Sequence, residues 1–280
     1  MSDGIVLVTG ARTDIGRVRE INEDAVLAEH PVFLVADGMG GHEAGERASA
    51  EVVAAFRPLV GRADVSPEEV VQAVSAAQAA VGRLARAHAR GAGSTLAGIV
   101  AVVQGGTPSW LVVNIGDSRV YRLIGSTLEQ LTVDHSVVQE LVDEGRITRA
   151  EMSTYPGRNV ITRAVGDESS AADYWLAPII TGERLLICSD GLSNDLSDEA
   201  LRAGLSLGGS AQQTASGLVD QALARGGRDN ISAVVVDVRS GGLSPGADEV
   251  TGGFATSAER TVHTIDVDTR PSDRQRARRD

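Results

Sequence analysis

Four aspartates stand in one kind of setting. Asp37 closes the apolar run VFLVADG, Asp117 closes LVVNIGDS, Asp190 closes RLLICSDG, and Asp229, in GGRDN, stands just ahead of ISAVVVDV. Glu23 and Asp24, in NEDA, precede a further short run of strand character. Taken singly, an Asp-Gly pair is a turn former, and each motif reads more readily as structure than as chemistry. The set reads differently. Strands that pair in one sheet bring their ends together, so acids far apart in sequence can meet at one edge. Unpaired carboxylates gathered there repel one another and need a cation to persist. No cysteine–histidine cluster accompanies them, and all-oxygen ligation selects magnesium, manganese or calcium over zinc or copper. Gly38, without a side chain, lets a backbone carbonyl approach an ion. Two ions held by shared aspartates lower the pKa of a bridging water, aim it in line and neutralise phosphoryl charge. Arg19, in GRVREINED, lies five residues before Asp24. Its planar guanidinium can grip two phosphate oxygens at once.

The elements that must position these groups follow from periodicity. VFLVA, TLAGIVAVV, SWLVVNI, RVYRL, RLLICS and ISAVVVDV are strand-length runs rich in Val, Ile and Leu. SWLVVNIGDSRVYRL reads as a hairpin. Residues 44–60, 66–90, 198–207 and 210–225 carry helical spacing. Ser66, followed by Pro and two acids, caps the second of these; Ser197 or Asp198 caps the third and Ser210 the fourth. Strands in pairs and helices in pairs favour antiparallel sheets with helices packed outside them. Residues 1–240 read as one globular domain. Residues 241–280, rich in Gly, Ser, Thr, Asp and Arg, read as a disordered tail.

Composition narrows the chemistry further. All 26 basic residues are arginine, which excludes Schiff-base lysines, Ser-Lys dyads and the lysine of nucleotide-binding P-loops. Cys188 is the single cysteine and lies in an apolar run, so it reads as a small buried hydrophobe in a cytoplasmic protein. The net charge is −12, of which the tail, with seven acids against six arginines, holds −1. That acidity makes a nucleic-acid partner a poor fit. The apolar runs are too short to span a bilayer, and the acidic start without an apolar stretch is unlike a signal peptide. The terminal RQRARR reads as a solvated end before it reads as a contact for RNA or membrane.

In order along residues 8–238, the blocks RVREINEDA, VADGMGGHEAGERAS, GSTLAG, NIGDSRVYR, LTVDHSVVQELVDEGRIT, RNVITRAVG, CSDGLSNDL and GGRDNISAVVV resemble the bacterial branch of the type 2C, metal-dependent Ser/Thr protein phosphatases. The resemblance implies an α+β fold: a four-layer α/β/β/α sandwich of two antiparallel sheets flanked by helix pairs. It also implies residue roles. Asp37 would bridge two Mg²⁺ or Mn²⁺ ions, the Gly38 carbonyl would bind the second, and Asp190 and Asp229 would hold the first. Glu23 and Asp24 would support the ions partly through water, and Asp117 with Asp190 would form a weaker third site. Arg19 would hold the substrate phosphate. The stretch 145–163, with Gly145, Arg146, Arg158 and Asn159, corresponds to the flap beside the active site. Some family members carry a histidine directly after the DG pair as proton donor; here that position is Met39. His42, three residues on, either donates the proton or caps the following helix, with a metal-bound water as the competing donor. His135 reads as a structural or flap-anchoring residue.

The implied activity is hydrolysis of phosphoserine and phosphothreonine in proteins, opposing a bacterial Ser/Thr kinase or acting on its substrates. A pseudophosphatase binding module is the alternative, and the presence of every expected acid counts against it. A metal-dependent nuclease or phosphodiesterase would want a basic groove. In the tail, Thr261, Thr264 and Thr269, in RTVHTIDVDTRP, suit docking to a phosphothreonine-reading domain once phosphorylated, with simple disorder as the other reading.

Overall fold

Along Val32–Met39, Leu34 and Ala36 enter one apolar cluster while Phe33 and Val35 enter another. This is the period-two signature of a strand buried on both faces. Ile231–Ser240 repeats it: Ile231, Ala233 and Val235 face one way, and Val234, Val236 and Val238 the other. A strand with two apolar faces requires a layer on each side, and the fold supplies it.

A computed structural model describes residues 4–40, 43–89 and 91–245. In chain order the elements are β1 (Val6–Asp14), β2 (Asp24–Glu29), β3 (Val32–Met39), α1 (Glu43–Phe56), α2 (Pro67–Ala87), β4 (Gly93–Ser94), β5 (Leu96–Gln104), β6 (Thr107–Ile115), β7 (Arg119–Ile124), β8 (Thr127–Gln130), α3 (Val137–Asp143), β9 (Asp173–Pro178), β10 (Arg184–Cys188), α4 (Asp190–Asp195), α5 (Asp198–Ser206), α6 (Ala211–Arg225) and β11 (Ile231–Ser240). One sheet has the order β1-β11-β10-β7-β8. The other runs β2-β3-β5-β6-β9, with β4 pairing the end of β3. The strand pairings within both are antiparallel.

Three apolar layers hold the sandwich. Val52, Phe56, Val74 and Val81 of α1 and α2 pack on Leu34, Val100 and Leu111 of the second sheet. Leu201, Leu218 and Val219 of α5 and α6 pack on Leu186 and Val235 of the first. Between the sheets lie Phe33, Ile99 and Trp110 on one side and Leu185, Ile187 and Val234 on the other. Phe33 meets Trp110 edge to face, with ring centroids 6.1 Å apart at 77°. Each such buried side chain contributes roughly 1.5–3 kcal/mol by leaving water. This is the four-layer α/β/β/α arrangement that the motifs imply.

The details correct several expectations. SWLVVNIGDSRVYRL is not a hairpin: β6 and β7 belong to different sheets, and Gly116–Ser118 carries the chain from one to the other. The first long helix stops at Phe56, where Pro58 turns the chain into a 3₁₀ segment, Arg57–Leu59. The second stops at Ala87. Ser66 and Ser210 form capping boxes with Glu69 and Gln213, and Ser197, not Asp198, caps α5. Beyond β11, the Leu243 amide donates to the Ile179 carbonyl at 2.8 Å. Residues 246–280, and with them the readings of Thr261, Thr264 and Thr269, lie outside the described residues, as does His42. No helix among the described residues is long and apolar enough to cross a membrane.

Candidate active site

The acids meet at one edge of the sandwich, drawn from both sheets. Asp24 opens β2 and stands directly opposite Asp37 near the end of β3. Asp190 follows β10 and begins the short helix α4. Asp229 precedes β11, and Asp117 lies on the Gly116–Ser118 crossover.

Burial and mutual repulsion show in the proton affinities. Burial, then repulsion from Asp24, Asp190, Asp117 and Asp229, pushes Asp37 well above the usual carboxylate range. Asp117 rises for the same reasons, with Asp190 and Asp134 as its neighbours and Arg119 opposing. Burial lifts Asp24 to about 7, with the Ser232 and Ser189 hydroxyls offsetting part of it. Burial and Asp229 lift Asp190 to about 6.

A hard divalent cation fits this donor set. Asp24 Oδ1 and Asp190 Oδ1 are buried with no hydrogen-bond partner, an arrangement that costs free energy unless something positive completes it. Among the described residues, no three carboxylate, imidazole or thiolate side chains already form a finished metal cage. An ion of magnesium's kind does not require one, since it takes one or two carboxylates and keeps water in its other positions. Gly38 serves packing: a Cβ there would lie 2.1 Å from the Gly45 carbonyl oxygen, so only glycine lets the start of α1 sit directly on the end of β3. Cys188 stays outside this chemistry, its thiol pushed up to about 12 by burial.

Polar residues that the sequence reading did not single out hold the acids in place. Asp24 Oδ2 accepts from Ser189 Oγ at 2.8 Å and from Ser232 Oγ at 2.7 Å. The Asp37 amide donates to Thr95 Oγ1 at 2.9 Å, and Thr95 Oγ1 also bonds Ser118 Oγ at 2.7 Å. Asn230 Nδ2 donates to the carbonyls of Ile15 and Ile21, and Asn230 Oδ1 accepts the Glu23 amide. One side chain thereby fixes the loop that carries Arg19 and Glu23. The only signals in sequence were hydroxyls and an Asn adjoining the acid motifs, and such residues are common in turns.

Arg19 is at the site, its Nη2 2.8 Å from Asp229 Oδ2, with about half of its side chain exposed. His135 ties the crossover to the segment around Thr162. Its Nδ1 accepts the Gly116 amide at 3.1 Å, its Nε2 lies 3.1 Å from Asp173 Oδ2, and its carbonyl accepts the Thr162 amide. Arg158 lines a cleft of about 180 Å³ together with Asp117, Asp190, Arg149 and Asn194. Gly145, Arg146 and Asn159 do not line that cleft; they are exposed elsewhere on the segment 145–163.

Comparison with known proteins identifies the family. Residues 17–224 match the family model described as protein phosphatase 2C. The chain is 40% identical to the serine/threonine protein phosphatase PstP of Mycobacterium tuberculosis over 84% of its own length and 45% of that protein, so it spans about half of that relative. It is 35% identical to the serine/threonine phosphatase stp of Listeria welshimeri, over 81% of this chain and 94% of that protein. The crystal structure of the catalytic domain of PstP in complex with two manganese ions superposes with a TM-score of 0.74 at 37% identity, covering 84% of this chain and 100% of that one.

Proposed function

This chain belongs to the protein phosphatase 2C family, and on that premise we propose that it hydrolyses phosphoserine and phosphothreonine esters in other proteins with the help of two divalent cations, manganese or magnesium. The observation that carries this reading is the buried acid cluster with its uncompensated Asp24 and Asp190 oxygens, beside an arginine suited to phosphate. The manganese bound by the related catalytic domain supports the choice of ion. The chemistry such cations would supply is Lewis acidity toward the phosphoryl group and its attacking water. Asp37 would serve both ions and the Gly38 carbonyl the second. Asp190 and Asp229 would serve the first, with Glu23 and Asp24 in support, and Asp117 with Asp190 would provide a weaker third position. Arg19 exchanges part of its contact with Asp229 for the substrate phosphate, so binding costs no new ordering of that side chain. The leaving serine or threonine oxygen takes its proton from His42 or from solvent held at the site.

In this reading residues 1–240 are the catalytic unit and 241–280 a tail. The flap, 145–163, presents Arg158 to the substrate, and the protein opposes Ser/Thr kinases in the cytoplasm. The test is hydrolysis of p-nitrophenyl phosphate and of phosphothreonine peptides with and without Mn²⁺. Turnover that needs the ion and disappears in Asp37→Ala supports the reading. Absence of turnover at saturating Mn²⁺ in protein shown to be folded ends it.

A further inference from the structure

Oxygen ligation by itself admits calcium as readily as magnesium or manganese. The hydrogen bonds around the acid cluster, however, do not treat the two oxygens of a carboxylate alike. Asp24, 9% exposed, turns Oδ2 toward two hydroxyls, Ser189 Oγ after β10 at 2.8 Å and Ser232 Oγ on β11 at 2.7 Å. Its Oδ1 is buried without a hydrogen-bond partner. Asp190 divides in the same way. Its Oδ2 accepts Asn194 Nδ2, one turn along α4, at 3.0 Å, and its Oδ1 is likewise buried without a partner. Asp229 has a donor on each oxygen, the Asn230 amide on Oδ1 and Arg19 on Oδ2.

The arrangement at Asp24 is held by a closed ring of donors and acceptors. The Asp24 amide donates to Asn22 Oδ1, Asn22 Nδ2 donates to Thr13 Oγ1, and Thr13 Oγ1 lies 2.8 Å from Ser232 Oγ. Ser232 has one hydroxyl proton and two oxygen neighbours. An ionised carboxylate can only accept, so that proton goes to Asp24 and Thr13 supplies its own to Ser232. Ser189 Oγ accepts the Ser232 amide at 2.9 Å, which leaves its proton for Asp24 as well. Both lone-pair positions of Oδ2 are then filled. For Asp24 to grip an ion with both oxygens, two hydroxyls in fully buried residues would lose their acceptor.

Calcium takes about six to eight oxygens and commonly engages a carboxylate through both of them. Magnesium takes a smaller octahedral set and fills part of it with water, and manganese accepts the same geometry. We infer that Ser189, Ser232 and Asn194 fix the cation preference of this site: they occupy the second oxygen of Asp24 and of Asp190, leave each acid one oxygen to offer, and so disfavour calcium. The inference rests on the cation requirement proposed above and adds which ion the site rejects and through which residues. All three are positioning residues, acting through the two carboxylates.

The test is calorimetric titration of the chelator-treated full chain with Mn²⁺, Mg²⁺ and Ca²⁺, which reads binding without turnover. Wild type is expected to bind Mn²⁺ at least about tenfold more tightly than Ca²⁺, the worth of one hydrogen bond to a charged group. In Ser189→Ala/Ser232→Ala, Oδ2 is released and the ratio of the Ca²⁺ to the Mn²⁺ Kd is expected to fall by about that factor of ten. Asn194→Ala, at an exposed position, is expected to lower the ratio about threefold with the thermal midpoint unchanged, and it decides the matter where the serine variant does not fold. A merely structural role would weaken both ions alike and leave the ratio where it was. Wild type that binds Ca²⁺ as tightly as Mn²⁺, wild type that binds neither, or a ratio unmoved in the folded variants overturns the inference. Absence of p-nitrophenyl phosphate hydrolysis in a wild type with the expected ratio would instead count against the phosphatase reading and leave the cation preference standing.

Discussion

Withdrawing divalent cations is expected to make the fold's stability fall as pH rises from 5 to 8. The perturbation is chelation. The magnitude comes from the buried acids: raising Asp24 from 3.8 to about 7 corresponds to roughly 4 kcal/mol against its ionised form. The sign is fixed by proton binding. A carboxyl whose folded-state pKa lies above its unfolded value binds more protons when folded. It therefore destabilises progressively from about pH 4 upward and fully above about 7. Asp190, lifted to about 6, acts in the same direction, as do Asp37 and Asp117. These groups repel one another, so their penalties do not add. Asp173 does not interfere: burial pushes it up, but His135 and Arg163 hold it below the usual range, and its contribution is lost only in acid below this window. For a domain of this size about 4 kcal/mol is roughly 10 °C in Tm. The assay is thermal unfolding in chelator at pH 5, 6, 7 and 8, repeated with Mn²⁺. Cation is expected to restore most of the loss at pH 8. Asp24→Asn, which keeps an acceptor for Ser189 and Ser232, is expected to be more stable than wild type at pH 8 in chelator. A metal-free midpoint that is level or rising across the window would refute the reasoning.

Asn230→Ala removes three hydrogen bonds to buried or half-buried backbone and is expected to cost about 3 kcal/mol in urea unfolding, with faster proteolysis near Arg19. Gly38→Ala drives a Cβ into the Gly45 carbonyl and is expected to cost more than about 2 kcal/mol and to weaken Mn²⁺ binding in calorimetry. His135→Ala leaves the Gly116 amide without its acceptor and Asp173 with Arg163 alone; hydrogen exchange is expected to quicken at residues 160–163 and 116–118 before it does in β3 or β11.

The chemistry was more legible than the geometry that delivers it. Asp37, Asp117, Asp190 and Asp229 could be named because each ends or precedes an apolar run, and a strand's end is visible wherever the run stops. The helices were legible in their caps, where Ser66 and Ser210 carry the acid or amide three residues later. The Gly116–Ser118 crossover was not legible. A glycine at φ +102 and an aspartate serve a hairpin as readily as a passage between sheets, and only the partners of β6 and β7 distinguish the two. The hydroxyls of Ser189 and Ser232 escaped for a related reason. They reach Asp24 across 165 and 208 residues, and no local pattern encodes such a contact.

That crossover is one of several. Read in chain order, β1 lies in one sheet, β2 to β6 in the other, β7 and β8 in the first, β9 in the second, and β10 and β11 in the first again. Wherever the chain is severed between β2 and β10, at least one fragment carries strands of a sheet that the other fragment must complete. Neither piece can close a sandwich by itself. A split protein made this way would have to reassemble its layers before Asp24 and Asp37 could face Asp190 and Asp229, so recovered metal-dependent activity would report that both halves had been rebuilt into one body.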